Sequence, residues 1–257
     1  MTQGKKIYFA SDFHLGVSGK LSSKTRESLL VQWMDEISQD ASHLFLVGDV
    51  FDFWFEYKYV VPKGHIRLLG KIAELKDKGI DIRFFTGNHD MWMKSYFKDE
   101  LDIPIYHEPI IEELFGQIFF IGHGDGLGPG DHGYKTLKHV FRNPLAQFLF
   151  KWLHPDIGIA LAQFFSNKSR YSQNLVQQYL GDKEEWLIQF VEEAYTHTKP
   201  DFFIFGHRHL PIDYTLKNGK SRYINLGDWL SFQSFAVYDG QKLELKFYKN
   251  ENASIFS

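Results

Sequence analysis

Five short apolar runs recur along the chain: KIYFA (6–10), HLFLV (43–47), IRFF (82–85), IFFI (118–121) and DFFIF (201–205). Each is nearly continuous in β-forming residues and too short for a stable helix, which is how strands buried on both faces read. Such strands must be covered on two sides, so the chain has to stack layers rather than leave a sheet face in water. Each run passes at once into a polar turn that contains glycine: SDFHLG, GDVFD, TGNHD, GHGDG and GHRH.

Between the first three runs lie helical patterns, TRESLLVQWMDEIS (25–38) and HIRLLGKIAELKDKG (65–79), with apolar residues at i, i+3 and i+4. Gly79 suits the residue just past a helix end. These βαβ units predict parallel strands joined by right-handed crossovers. Three hairpins are expected later: 110–121, then 214–226 with Asn218-Gly219 as a type I′ turn, then 234–248 turning at Asp239-Gly240. The fold class is therefore α/β, a mixed pair of sheets flanked by helices. A helical insertion occupies about 125–198, and no linker or repeat divides the chain. One domain over 1–257 with an inserted helical cap is the expectation.

Composition removes several function classes. With no cysteine there is no disulfide, thiol catalysis or Cys-ligated zinc. A net charge of −3 does not announce a nucleic-acid binder, and no protein partner is implied. The N-terminus lacks the apolar stretch of a secretory signal, and no run of about 20 uninterrupted apolar residues exists for a spanning helix. A cytoplasmic protein is expected.

In open α/β sheets ligands bind beyond the carboxyl ends of the strands. Here those ends carry Asp12, His14, Asp49, Asp52, Asn88, His89, His123, Asp125, His207 and His209. Taken singly, each has an ordinary reading: a turn residue, a helix cap or a surface histidine. Their convergence on five successive strand ends points instead to a divalent-metal site, because carboxylate and imidazole together suit borderline and hard cations. Asp90 and Asp125 suit supporting roles, such as holding a turn or a ligand histidine.

In order, D12-x-H14, G48-D49-x-x-D52, G87-N88-H89-D90, G122-H123 and G206-H207-x-H209 resemble the pattern of the calcineurin-like metallophosphoesterases. The resemblance spans 12–209 and implies a four-layer αββα sandwich. It implies one metal on Asp12, His14, Asp49 and His209, and a second on Asp49, Asn88, His123 and His207. His89, oriented by Asp52, would protonate or stabilise the leaving oxygen. Two such cations bring about +4 against about −2 from two aspartates, so the site would attract a phosphate group.

The insertion narrows the reading. Across 132–170 stand six basic residues and one acid, Asp156, a local charge of +5 among Phe141, Phe148, Phe150, Trp152, Phe164 and Phe165. That composition suits an anionic lipid or a membrane surface. The alternative is a helical hairpin that packs its aromatics on the core and exposes its lysines. HGDGLGPGDHGYKTLKHVFRNP, GDVFDFW, SNKSR and NLGDW are similar to the UDP-2,3-diacylglucosamine hydrolase branch. That branch resembles a peripheral inner-membrane enzyme of lipid A synthesis. It implies Mn²⁺ as the metal and cleavage of the pyrophosphate of a lipid-linked nucleotide, giving UMP and a lipid phosphate. Fe, Zn²⁺ and Co²⁺ also accept this ligand set. The branch implies substrate contacts at Asn88, His89, Asp131, Ser166, Lys168 and Arg170. Two positions depart from it: His89 stands where the branch has Arg, and Asp52 where it often has Glu. A phosphoesterase acting on another phosphorylated lipid, nucleotide or phosphoprotein is the second reading.

Overall fold

The computed structural model describes residues 5–129, 135, 138, 140–162, 164 and 178–256. Strands β1 (Lys6–Ala10), β2 (Ala41–Val47), β3 (Asp81–Phe85) and β4 (Ile105–Tyr106) run parallel. With β10 (Ser234–Tyr238) and β11 (Leu243–Phe247) they form a six-stranded sheet of order β11-β10-β1-β2-β3-β4. A five-stranded sheet of order β5-β6-β7-β9-β8 joins β5 (Ile110–Leu114), β6 (Gln117–Ile121), β7 (Phe202–Phe205), β8 (Pro211–Thr215) and β9 (Arg222–Leu226).

Alternation along the strands decides the layers. Ile7, Phe9, Phe45 and Val47 meet Phe119, Ile121, Ile204 and Ile224 in a core between the sheets. Tyr8, Ala10, Leu44 and Leu46 point the other way. There they pack under α1 (Ser23–Ile37), α2 (Ile66–Asp77) and α3 (Tyr96–Leu101). On the far side Phe203, Phe205 and Tyr223 are covered by Leu187, Ile188 and Val191 of α5 (Trp186–Thr198). The result is helix, sheet, sheet, helix, and it explains why the strand runs are nearly continuous in apolar residues.

Local signals set the element ends. Ser22 caps α1 by accepting from Thr25 N at 3.1 Å. Gly79, at φ +82°, follows the end of α2 as expected. The hairpins at 110–121 and 234–248 form. The third hairpin forms with a different turn. Asn218 keeps negative φ, only Gly219 is left-handed (φ +70°), and Gly219 N bonds Leu216 O. The loop closes between Leu216 and Ser221, too long for a two-residue type I′ turn. The Asn218 side chain instead accepts from Lys220 N and Ser221 N, both at 2.9 Å.

Within the 125–198 stretch, α5 belongs to the outer layer of the sandwich. α4 (Pro144–Lys151) and the helical residues 155–162 lie apart from those layers, and α4 buries none of its residues. Its start is fixed by Asn143, which accepts from Leu145 N at 2.8 Å, with Pro144 in the first turn. Among the described residues no helix is long and apolar enough to cross a membrane.

Candidate metal centre

The turns that follow β1, β2, β3, β6 and β7 bring the seven proposed ligands together at one end of the sheets. His209 Nε2 lies 3.2 Å from Asp12 Oδ1 and 3.2 Å from His14 Nε2. His14 Nε2 is 3.6 Å from Asp12 Oδ1 and 3.7 Å from Asp49 Oδ2. One ligand atom from each of Asp12, His14, Asp49 and His209 falls within 4.8 Å of the others. Beside this group, Asn88 Oδ1 sits 3.0 Å from His207 Nδ1 and 3.3 Å from His123 Nε2. His123 Nε2 is in turn 3.3 Å from Asp49 Oδ2. Asp49 thus faces both groups with a single oxygen.

That geometry carries backbone strain. Asp12 (φ +56°), His14 (+43°), Asp49 (+51°), His207 (+66°) and His209 (+57°) all occupy the left-handed region. Non-glycine residues are uncommon there, and strain of this kind persists only where the surroundings over-determine it. Close approach is the second requirement. A Cβ at Gly87 would run into Asp49 Oδ1, and one at Gly206 into Asp12 Oδ2. The motif glycines therefore make room for the carboxylates beside them.

Each carboxylate has one oxygen fixed and one directed inward. Asp49 Oδ1 accepts from His89 N at 2.8 Å, and Asp12 Oδ2 from His207 N at 3.0 Å. Asp12 Oδ1 and Asp49 Oδ2 are buried without a hydrogen-bond partner, and both face imidazole nitrogens. Buried carboxylate oxygens are rarely left this way. Converging lone pairs from carboxylate, imidazole and an Asn carbonyl are what a divalent cation requires, so the residues fit the group.

Without a cation the imidazoles neutralise the acids. Burial alone would raise the Asp12 carboxyl, but His209, His14 and His123 outweigh it and leave it at about 2. Asp49 is held well below the usual carboxylate range because His123, His89 and His14 overcome its burial. Burial disfavours the charged form of His14 and His123, yet their carboxylate neighbours lift each to about 10. His207 moves down to about 4, through burial and the charge of His123.

Supporting contacts hold the ligands. His123 Nδ1 lies 2.9 Å from Val47 O, which turns Nε2 inward. Asp90 accepts from Gly87 N (2.7 Å) and Val50 N (2.9 Å), lacing the β3 turn to the β2 turn. Burial and the charge of Asp49 push its carboxyl up to about 7. Asp125 pairs with Lys138 beside His123. Asp52 stands between two rings, its Oδ1 3.6 Å from His14 Nδ1 and 3.6 Å from His89 Nδ1. His89 Nδ1 also bonds Asp52 O at 3.1 Å.

A family model described as calcineurin-like phosphoesterase matches residues 5–211. The chain belongs to that family. It is accordingly a metal-dependent hydrolase of phosphoric esters. It is 42% identical to a UDP-2,3-diacylglucosamine hydrolase of Porphyromonas gingivalis, covering 94% of this chain and 97% of that one. Proteins of the same description from Actinobacillus succinogenes and Yersinia pseudotuberculosis are 28% and 24% identical. They cover 87% and 81% of this chain, and 92% and 84% of their own.

Of the residues the sequence pointed to, Asp12, His14, Asp49, Asn88, His123, His207 and His209 converge as expected, with His89 and Asp52 against them. Asp131, Ser166, Lys168 and Arg170 lie outside the described residues. Two contributors escaped the sequence reading. Fully buried Arg26 donates to the carbonyls of Phe13 (2.8 Å), His14 (2.7 Å), Val17 (2.6 Å) and Leu21 (3.2 Å), pinning the turn that presents His14. Asp228, at the end of β9, meets His209 Nδ1 at 3.3 Å. Arg26 sits in a helical pattern and gives no signal of its own. Asp228 does, since it follows an apolar run in NLGDW.

Proposed function

We propose that this phosphoesterase cleaves the pyrophosphate of UDP-2,3-diacylglucosamine, releasing UMP and a lipid phosphate, as a step of lipid A synthesis. The observation that carries the substrate is the near-full-length likeness to the Porphyromonas gingivalis hydrolase. We assign one divalent cation to Asp12, His14, Asp49 and His209 and another to Asp49, Asn88, His123 and His207, with Mn²⁺ as the working metal. When bound, such cations supply Lewis acidity and positive charge to a phosphate under attack. The chain's own residues do the rest. His89 has its backbone N–H on Asp49 and its Nδ1 on Asp52 O, so Nε2 is the nitrogen that delivers a proton to the departing oxygen. The Asp52 carboxylate, 3.6 Å from Nδ1, steadies the charged ring. Asn88 and His89 are also assigned to substrate phosphate, and Asp131, Ser166, Lys168 and Arg170 to the sugar and cap contacts.

The whole chain acts as one domain in this reading, with the cap serving the lipid part of the substrate at the cytoplasmic membrane surface. Support comes from α4 and the residue that ends it, which expose Phe148 (55%), Leu149 (60%) and Trp152 (77%). Phe150 does the opposite, packing on Phe53, Phe55 and Trp92, and Phe141 also meets Trp92, so these rings anchor the cap while others stay in water. Contiguous exposed apolar groups of this sort mark membrane or lipid contact.

The test is turnover of UDP-2,3-diacylglucosamine with Mn²⁺, following UMP beside an aryl phosphate ester. Manganese-dependent UMP release is the expected result. Cleavage of the aryl ester alone would keep the phosphoesterase and discard the lipid nucleotide. His89 favours that second reading, since an imidazole can exchange a proton where the branch's Arg would hold a fixed charge.

A further inference from the structure

We propose that Asp228 is a positioning residue that fixes the ring and tautomer of His209, and that the 225–229 turn thereby sets the affinity of the site formed by Asp12, His14, Asp49 and His209. The inference rests on the metal reading above. Asp228 is fully buried. Its Oδ1 accepts from Ser231 N at 2.7 Å and Phe232 N at 3.1 Å, which leaves Oδ2 aimed at His209 Nδ1, 3.3 Å away. A carboxylate accepts and does not donate, so Nδ1 carries the proton. Nε2, which faces Asp12 Oδ1 and His14 Nε2, each 3.2 Å distant, is then the nitrogen left for a cation. Pairing the outer nitrogen of an imidazole with a carboxylate orients the ring and strengthens it as a ligand.

The same turn grips two neighbouring loops. Asn225 Nδ2 donates to Gly206 O, just before His207, and Trp229 N donates to Asp12 O at 3.1 Å. Asp12 and His209 are both in strained left-handed backbone, so three ties from one turn help hold a geometry the local chain disfavours.

Asp228→Asn tests the idea with almost no change of shape. The amide keeps an acceptor for Ser231 and Phe232 but places a donor against Nδ1, which turns His209 to the Nε2–H tautomer and blocks the lone pair. In chelator-stripped protein, imidazole ¹⁵N spectra should show that switch, and calorimetry should show Mn²⁺ binding weakened about 10- to 100-fold. Excess Mn²⁺ should restore turnover of the aryl ester. Ser234→Ala is the control. It removes the Ser234 Oγ bond to Leu226 O (2.6 Å) in the same turn without touching His209. It should lower the urea midpoint and leave Mn²⁺ affinity alone. Unchanged affinity in Asp228→Asn, or an equal loss in Ser234→Ala, would overturn the role of Asp228. An Nε2–H tautomer in the unaltered metal-free protein would do so even if the variant did not fold. Failure of the unaltered protein to bind Mn²⁺ would overturn the metal reading itself.

Discussion

At the scale of single residues, the site is a set of charges waiting for a cation. His14 and His123, each raised from 6.5 to about 10 in the metal-free protein, hold protons at pH 8 that a cation must displace. Metal uptake near pH 8 should therefore release protons, measurable by calorimetry in buffers of different ionisation enthalpy. The stability of the stripped protein follows with a definite sign. The imidazole contribution is complete below pH 6.5 and is lost as pH rises through about 10. The Asp12 contribution is complete above 3.8 and is lost as pH falls through about 2. Thermal midpoints of chelated protein should thus decline from pH 6.5 to pH 10. Chemistry separates from binding at His89. His89→Ala should lower kcat about 10²- to 10⁴-fold while metal analysis shows near-normal occupancy. Asp49→Asn should abolish metal-dependent turnover in a protein that still folds by circular dichroism, and full activity of that variant after chelation would refute the metal reading.

At the scale of elements, the strands deliver the proposed ligands and the helices hold the turns in place. Arg26 of α1 reaches the turn after β1 through four backbone carbonyls, so α1 is part of the site's support although it carries no ligand. Hydrogen bonds from a charged group contribute about 1.5–3 kcal/mol each at most, and their loss is shared with water. Arg26→Met should cost about 3 kcal/mol in urea unfolding, a large effect for one substitution, and should weaken Mn²⁺ binding as the His14 turn relaxes. Arg208 plays a comparable part between two ligands. It forms a bidentate pair with Glu185 at 2.8 and 2.9 Å and donates to Gln178 O, joining the His207–His209 turn to the start of α5. Breaking such a buried pair costs about 3–5 kcal/mol, so Glu185→Gln should lower the thermal midpoint with no change in the pH profile of turnover.

At the scale of the whole molecule, a four-layer sandwich carries a helical insertion with exposed apolar side chains. Polar substitution of Phe148 and Trp152 together should change stability by about 0.5 kcal/mol or less, because neither side chain is buried. It should reduce co-sedimentation with anionic vesicles and leave aryl-ester turnover intact. Unaltered vesicle binding would show that the cap does not face lipid. The layers themselves were legible in the sequence, because nearly continuous apolar runs require cover on both sides. So was the set of seven side chains that converge at the strand ends, each of which follows a strand that could be read by composition. The Asn218-Gly219 turn was misjudged because the loop closes one residue further out on each side, between Leu216 and Ser221, where register rather than residue type decides. The split behaviour of the cap aromatics was equally invisible, since Phe148 and Phe150 differ only in which side of α4 meets Phe55 and Trp92. The sequence by itself determined the five core strands, their layering and the chemical types of the side chains that converge beyond them, because periodicity and side-chain type are local properties. Only the tertiary structure decided that Arg26 and Asp228 serve the site, that its ligands sit in left-handed backbone, and that α5 belongs to the sandwich rather than the cap. Those depend on contacts between segments far apart in the chain, which a local pattern does not specify.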